Sequence, residues 1–583
     1  MHMNIQFLGQ QYNTGELIRK RRGIKKSLLE KEGLRISKNI LMLSGSTIGE
    51  LAEQLDLFCL SRGIELTISQ GDYGRYYEDA LYGNPQIENK KYDFIYIHIS
   101  SRNILNLPEP FEEKQIVEKK LQTEFFRIKQ VVNTLSEKYV CPVICNNFEL
   151  PYYRIMGNRE IWDTSGTINF INRLNVLMNS LAEEKSNFYI NDINYLAAYY
   201  GVKEWASPSY WYRYKYAMCI DAIPLIAQNL SAIIISLCGL NKKCFTFDLD
   251  NTLWGGVVGD DGPEQIVIGN DSPQGEAYIA FQEYVRRLKR TGIILGVISK
   301  NDESIAGSAF KRSEMMIKKE DFTSFIANWN PKSENLVKMA LELNLGVDSF
   351  VFIDDNPVER DEIKNRLDAV IAPVLTKVEN YINEIEECRL FEVTTHTEED
   401  DIRTTYYLQN AKREEEQKNF PDYNEYLESL NMIWTFTNFE EAAFERITQL
   451  INKTNQFNLT TMRLSMNEVI KRATDPEGYL CIQGRMADKF GDNGLITILL
   501  GRFTEKTLYI ELWLMSCRVL RRNGEYKLFE YLKKRCRKRQ VKKIVGEYVP
   551  TKKNGIVKDF YGLLGFELVN IDEAGKTTWE YSL

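Results

Sequence analysis

Short apolar runs alternate with long amphipathic stretches over the first two thirds of the chain. Asn39-Ile-Leu-Met-Leu-Ser, Glu65-Leu-Thr-Ile-Ser, Tyr92-Asp-Phe-Ile-Tyr-Ile-His-Ile-Ser and Val140-Cys-Pro-Val-Ile-Cys have the length and β-branched content of strands. Residues 47–62 and 113–137 between them place apolar positions at helical spacing. Alternating strands and helices predict an α/β domain with a mostly parallel sheet over residues 36–237. Residues 241–390 repeat this logic in shorter units. The polar, acidic stretch 391–430 predicts a helical linker, and 431–583 predicts an α+β domain. Its strands are expected at Met432-Ile-Trp-Thr-Phe-Thr, Gly494-Leu-Ile-Thr-Ile-Leu-Leu and Thr507-Leu-Tyr-Ile-Glu-Leu, with a helix over 525–539. The fold class is thus multidomain α/β, preceded by a short helical segment, 1–35, rich in Arg and Lys.

Charge and composition narrow the function classes. The 74 basic and 81 acidic residues among 583 give a net charge of −7, which exerts no global pull towards nucleic acid. The basic stretches 17–29 and 533–543 read as solvated helix faces. The second of them also offers a surface for an acidic carrier protein. Ten cysteines without a CxxC pair predict buried, reduced thiols and a cytoplasmic protein. No long apolar run opens the chain, so no signal peptide is expected. The apolar stretch 222–240 is interrupted by Pro224, Gln228 and Asn229, which predicts a buried helix and no membrane span.

The candidate chemistry lies in the middle of the chain. Cys244-Phe-Thr-Phe-Asp-Leu-Asp-Asn-Thr-Leu-Trp-Gly-Gly is an apolar strand that runs into two carboxylates at i and i+2. Ligands of open parallel sheets sit at the carboxyl ends of strands, so Asp248 and Asp250 fall where chemistry is expected. Ile293-Ile-Leu-Gly-Val-Ile-Ser ends in the hydroxyl of Ser299. Asn330-Pro-Lys-Ser puts Lys332 at a helix start, and Ser349-Phe-Val-Phe-Ile-Asp-Asp ends in Asp354 and Asp355. Such a set suits phosphoryl transfer. Asp248 would attack phosphorus and Asp250 would act as acid and base. Ser299 would hold a phosphoryl oxygen, while Lys332 would offset its charge. Carboxylates from Asp248, Asp250, Asp354 and Asp355 would hold Mg²⁺. No further cofactor is expected.

These four pieces resemble the motifs of the haloacid dehalogenase (HAD) superfamily: Asp-x-Asp-x-Thr, a Ser strand end, a Lys and an acidic pair. About 40 residues follow the first carboxylates before the next unit, and about 30 separate Ser299 from Lys332. Neither gap has room for a large cap, so an open site is expected, suited to a bulky substrate or a group on a carrier protein.

Phe247-Asp-Leu-Asp-Asn-Thr-Leu-Trp-Gly-Gly-Val-Val-Gly-Asp-Asp-Gly, Phe352-Ile-Asp-Asp-Asn-Pro-Val-Glu-Arg, Lys453-Thr-Asn-Gln-Phe-Asn-Leu-Thr-Thr, Met515-Ser-Cys-Arg-Val-Leu and Tyr548-Val-Pro-Thr-Lys-Lys-Asn are similar to the FkbH-like family of HAD subfamily IIIC. The resemblance implies an SGNH-hydrolase-like domain, a HAD core with minimal cap, and a C-terminal domain similar to GNAT acetyltransferases. For some members it implies removal of phosphate from 1,3-bisphosphoglycerate and loading of the glyceryl unit on an acyl carrier protein. Surface-polysaccharide synthesis, with a sugar phosphate as substrate, is the alternative, and a non-enzymatic scaffold is a third.

Both flanking domains depart from their relatives. An SGNH esterase needs a Ser nucleophile and a His base. Ser44 or Ser46 offers the former, but the three histidines are His2, His98 and His396, and Asn191-Asp-Ile-Asn has none. A degenerate docking domain is therefore expected, with His98 as a satisfied core residue. In the C-terminal domain Arg521-Arg-Asn-Gly-Glu-Tyr keeps Gly524 of the phosphate-binding turn but has Tyr526 where a small residue is usual. Tyr561-Gly-Leu-Leu-Gly-Phe-Glu matches the closing segment of that fold. Cys517 reads as a packed thiol, with thioester formation as the alternative.

Overall fold

The computed structural model describes residues 12, 14–30, 35–88, 90–397, 403–417, 419–516, 519–520, 522–551 and 554–583. His2, Cys517 and Arg521 lie outside them. The chain forms two compact units, Met1–Leu237 with Ser465–Glu468, and Cys238–Leu464 with Val469–Leu583.

The first unit is built on five parallel strands: β1 (Ile36–Ser44), β2 (Ile64–Gln70), β3 (Phe94–His98), β4 (Val143–Asn146) and β5 (Phe188–Asn191). Their order is β2-β1-β3-β4-β5. Side chains alternate across a strand, and both faces are apolar here. Leu41, Leu43, Ile95, Ile97 and Val143 share a core with residues of two helices, Lys114–Tyr139 and Thr167–Glu184. Ile40, Met42, Phe94 and Tyr96 are buried on the opposite face. The predicted fourth strand starts three residues late, because Val140 takes a left-handed φ of 48° and caps the preceding helix.

Three further helices of this unit pack together. Helix α1 (Thr14–Glu30) buries Leu17, Ile24 and Leu28. It packs on α2 (Gly49–Ser61), whose Glu53 and Asp56 pair with Arg21 and Lys25. Part of the basic face at 17–29 is thereby neutralised within the fold. Helix α3 (Ile223–Leu237) also packs on α2. The segment Ile220–Leu237 is apolar and long enough to cross a membrane by composition, but 72% of it is buried inside the structure. It is a core helix.

The second unit holds two sheets. The first has four parallel strands, β6 (Cys244–Phe247), β7 (Ile294–Ser299), β8 (Ser324–Ala327) and β9 (Phe350–Ile353), in the order β8-β7-β6-β9. Every residue of β6, β7 and β9 is buried: β6 and β7 are central strands covered on both faces, and the edge strand β9 is flanked by a bridge from Val351 to Ile371. After β6 the chain turns at Gly256, whose φ of 90° suits glycine. No inserted domain follows; the segment holds a single helical turn, Val258–Asp261.

Within the predicted linker, 391–397 is irregular and helices form at Arg403–Gln417 and Tyr423–Ser429. The second sheet is mixed: β10 (Ile433–Asn438), β12 (Tyr479–Asp488), β13 (Gly491–Thr504), β14 (Thr507–Met515), β15 (Lys543–Tyr548), β17 (Thr577–Ser582) and β16 (Glu567–Ile571), in that order, with β11 (Phe457–Asn458) paired to β14. Its pairings are antiparallel except β14 with β15. Helix α4 (Gly524–Lys538) buries Leu528, Phe529 and Leu532 against this sheet.

Candidate active site

The central strand β6 ends at Phe247, which is level with Ile353 of β9. The backbone N–H of Asp248 donates to the Ile353 carbonyl at 2.8 Å, so pairing continues one residue further. Asp248 and Asp354 therefore leave the sheet side by side. Oxygens of Asp248, Asp354 and Asp355 all lie within 4.8 Å of one another. Lys332, the first residue of its helix (Lys332–Glu342), reaches into this group. Its Nζ is 3.0 Å from Asp248 Oδ1 and 2.6 Å from Asp354 Oδ2, and its side chain is only 3% exposed.

Supporting bonds hold the group in place. Thr252 Oγ1 donates to Asp355 Oδ1 at 3.3 Å, and the Asn356 N–H donates to Asp354 Oδ1 at 2.9 Å. The Arg360 guanidinium donates to the Asp354 and Asp355 carbonyls at 2.6 and 2.7 Å, which fixes the strand end without neutralising the carboxylates. One ammonium thus faces three carboxylates. Burial, then the Asp248 charge, pushes the Asp354 carboxyl up to about 7, with Lys332 pulling the other way. The same two causes raise Asp355. Burial works against the Lys332 charge, but Asp248 and Asp354 outweigh it and its pKa is raised. An all-oxygen, net-negative trio, with Asp248 and Asp354 buried and Asp355 half-buried, matches what a hard divalent cation requires.

Asp250 stands apart from the trio. Its Oδ1 accepts from the Trp254 indole and the Val258 N–H, both at 2.9 Å, and its Oδ2 accepts from Asn301 Nδ2 at 3.0 Å. Burial raises its proton affinity against these bonds. Its carboxylate is therefore engaged elsewhere than in the cluster of three. Ser299 is buried at the end of β7, beside β6, and its carbonyl accepts from the Asn328 N–H at 3.1 Å. Asn301 and Trp254 were not singled out from the sequence. Trp254 stands inside the first acidic motif, and Asn301 follows Ser299 by two residues, so proximity to a motif was their only signal.

The FkbH N-terminal domain family matches residues 39–235. The N-terminal part of a Bacteroides fragilis protein, a structure that contains a phosphatase domain complexed with Mg, is 28% identical. It covers 66% of this chain and 100% of its own, with a TM-score of 0.59. An Escherichia coli N-acetyltransferase that acts on a ribosomal protein is 13% identical over 26% of this chain and 94% of its own, with a TM-score of 0.21. The PaiA N-acetyltransferase of Thermoplasma acidophilum, in complex with coenzyme A, is 12% identical over 26% and 99%, with a TM-score of 0.20. No curated protein matches. The chain carries an FkbH N-terminal domain.

Within this FkbH domain, Ser44 ends β1 level with His98 at the end of β3. Both are buried, as is Ser46. Burial lowers His98 to about 4. Its Nδ1 lies 2.9 Å from the Tyr96 hydroxyl and 3.0 Å from Asn146 Nδ2, while Nε2 has no hydrogen-bond partner among the described residues. The expectation of a fully satisfied His98 thus holds for one ring nitrogen. In the C-terminal sheet, a Cβ on Gly524 would meet the Trp434 ring at 2.2 Å. Packing against an indole is a structural demand for glycine that the phosphate-turn reading did not include. Tyr526 is 43% exposed, and Tyr561 is buried.

Proposed function

We propose that the chain is a Mg²⁺-dependent phosphohydrolase or phosphotransferase of the HAD type, acting through Asp248. The observation that carries this reading is the placement of the Lys332 ammonium between Asp248 and Asp354 in a buried, net-negative group. The Mg-complexed phosphatase domain of the Bacteroides fragilis protein supports it. Asp248, Asp354 and Asp355 would hold the ion, which when bound supplies charge neutralisation for phosphoryl oxygens.

Asp248 attacks phosphorus, the bond to the leaving oxygen breaks, and an aspartyl phosphate forms. Asp250 protonates the leaving oxygen, then takes a proton from the water that cleaves the intermediate, so that phosphate is released and Asp248 restored. Its raised proton affinity suits a group that must carry a proton. Trp254, Val258 and Asn301 hold its carboxylate in one orientation. Lys332 offsets charge on Asp248 and on the phosphoryl group, and Ser299 contacts a phosphoryl oxygen. A cytoplasmic setting suits the nine described cysteines, which are buried and outside any disulfide.

Three carboxylates against one ammonium leave negative charge that a scaffold would have to bury uncompensated, which supports a cation-binding site over a scaffold. Two substrate readings remain, glyceryl transfer from 1,3-bisphosphoglycerate to an acyl carrier protein and hydrolysis of a sugar phosphate. Phosphate release from p-nitrophenyl phosphate is expected to need Mg²⁺. It should fall by about a thousandfold or more in kcat in Asp248→Asn, about 4 kcal/mol of barrier. Full activity in Asp248→Asn would remove Asp248 from the chemistry. Supplying 1,3-bisphosphoglycerate separates the substrates: a carrier protein that gains the glyceryl mass selects transfer, and phosphate without that gain selects hydrolysis.

A further inference from the structure

Each of the four segments that follow the strands of this sheet supplies a residue to the site, and each carries one exposed large apolar residue near its start. Val257 follows β6, Ile305 follows β7, Trp329 follows β8 and Val358 follows β9. Their exposures are 37%, 40%, 76% and 70%. Each lies close along the chain to a group bonded into the site. Val257 precedes Val258, whose N–H donates to Asp250 at 2.9 Å. Ile305 is four residues after Asn301, the other donor to Asp250. Trp329 is three residues before Lys332, and Val358 is two after Asn356, whose N–H donates to Asp354.

Scattered exposed apolar residues are ordinary. One on every strand-end segment of a single sheet edge, with the reactive carboxylates on that edge, is a pattern. The Trp329 segment is also held firmly. Asn328 and Asn335 exchange side-chain bonds of 3.2 and 2.8 Å, and the Asn330 N–H donates to Asn328 Oδ1 at 3.0 Å. The Asn328 N–H donates to the Ser299 carbonyl at 3.1 Å. These bonds fix the backbone on both sides of an indole that the fold itself leaves uncovered. Charge on the rim is internally compensated where Lys300 meets Glu359 at 2.7 Å.

We infer that Val257, Ile305, Trp329 and Val358 form an apolar collar around the acidic site, and that Trp329 is its main specificity-determining residue. The collar selects phosphorylated substrates whose non-phosphoryl part presents a flat or apolar face, so of the two substrate readings it favours a sugar ring, with its apolar C–H face, over the glyceryl unit. The inference rests on the phosphoryl-transfer reading above. A small, fully hydroxylated leaving group would gain nothing from an exposed indole, whereas a planar face stacked on it gains about 0.5–1.5 kcal/mol beyond its buried area.

Titration calorimetry of the full chain in Mg²⁺ with two non-hydrolysable probes, phenylphosphonate and methylphosphonate, tests this. The wild type is expected to bind phenylphosphonate about tenfold more tightly, the equivalent of about 1.4 kcal/mol. Trp329→Ala should bring that ratio close to one with methylphosphonate affinity unchanged, and Trp329→Phe should keep most of it. A preference retained in Trp329→Ala, or absent in the wild type, overturns the collar and leaves the phosphoryl site standing. If the wild type binds neither phosphonate, the phosphoryl-transfer reading falls and takes the collar with it.

Discussion

Towards the carboxyl edge of the five-stranded sheet, Tyr96 donates to Asn146 at 2.7 Å, Asn191 donates to Asn146 at 2.9 Å, and Asn229 donates to Asn191 at 2.8 Å. At the carboxyl edge of the four-stranded sheet stand Asp248, Asp354, Asp355 and Lys332. Both groups are buried and polar, yet they differ in what they leave unresolved. Neutral amides, a phenol and the neutral His98 ring bond to one another without net charge, and only His98 Nε2 is left without a partner among the described residues, so such a network chiefly specifies structure. Three carboxylates and one ammonium cannot cancel, and burial makes the residual charge expensive. In these two groups it is the unbalanced acidic charge, more than polarity, that sets a candidate ligand site apart from a network that holds a fold together.

The largest expected effect that sharpens this contrast comes from Lys332→Met. Removing the ammonium leaves Asp248 and Asp354 facing each other, and kcat for phosphate release should fall by about 100- to 1,000-fold. Steady-state kinetics with p-nitrophenyl phosphate reads this directly, and a loss under about threefold would show that the ammonium plays no part in the reaction.

Asn146→Leu is the matching change in the neutral network. It strands Tyr96 and Asn191 without their shared acceptor and should cost about 1–3 kcal/mol of stability, visible in the melting of that unit. Mg²⁺-dependent phosphate release should stay unchanged. A drop in turnover at full stability would break the comparison by giving the network a catalytic role.

The smallest effect is a pH slope from His98, whose pKa is lowered from 6.5 to about 4 by burial. The unfolded chain takes up a proton near the upper value while the folded chain stays neutral to the lower one. Protons thus favour the unfolded state across that window, and stability falls as pH drops through it. The melting temperature of the wild type should decline between these two values, and His98→Gln should flatten the decline. An identical slope in both proteins would mean that other groups carry it.

Much of the candidate site was legible because its signals are local. Apolar runs ending in carboxylates at Asp248 and at Asp354–Asp355 need only the neighbouring residues to be recognised. What the carboxylates touch is a different matter. Asp250 shares its motif with Asp248 and reads from the sequence as a metal ligand beside it; only the fold shows that its oxygens accept from Trp254, Val258 and Asn301. Asn301 belongs to the β7 end, and only the adjacency of β7 and β6 brings it within 3.0 Å of Asp250. Gly524 shows the same limit, since the Trp434 ring that demands it lies 90 residues away in the chain.

By itself the sequence determined that the chain is a series of α/β units with acidic strand ends in the second, since side-chain period and apolar run length are properties of consecutive residues. Tertiary structure alone decided the strand order β8-β7-β6-β9, and through it that Asp248 and Asp354 meet, that Lys332 bridges them, and that Asp250 faces Asn301. Strand order depends on pairing between segments up to about a hundred residues apart, where loop closure and helix packing choose the neighbours and no local pattern records the choice.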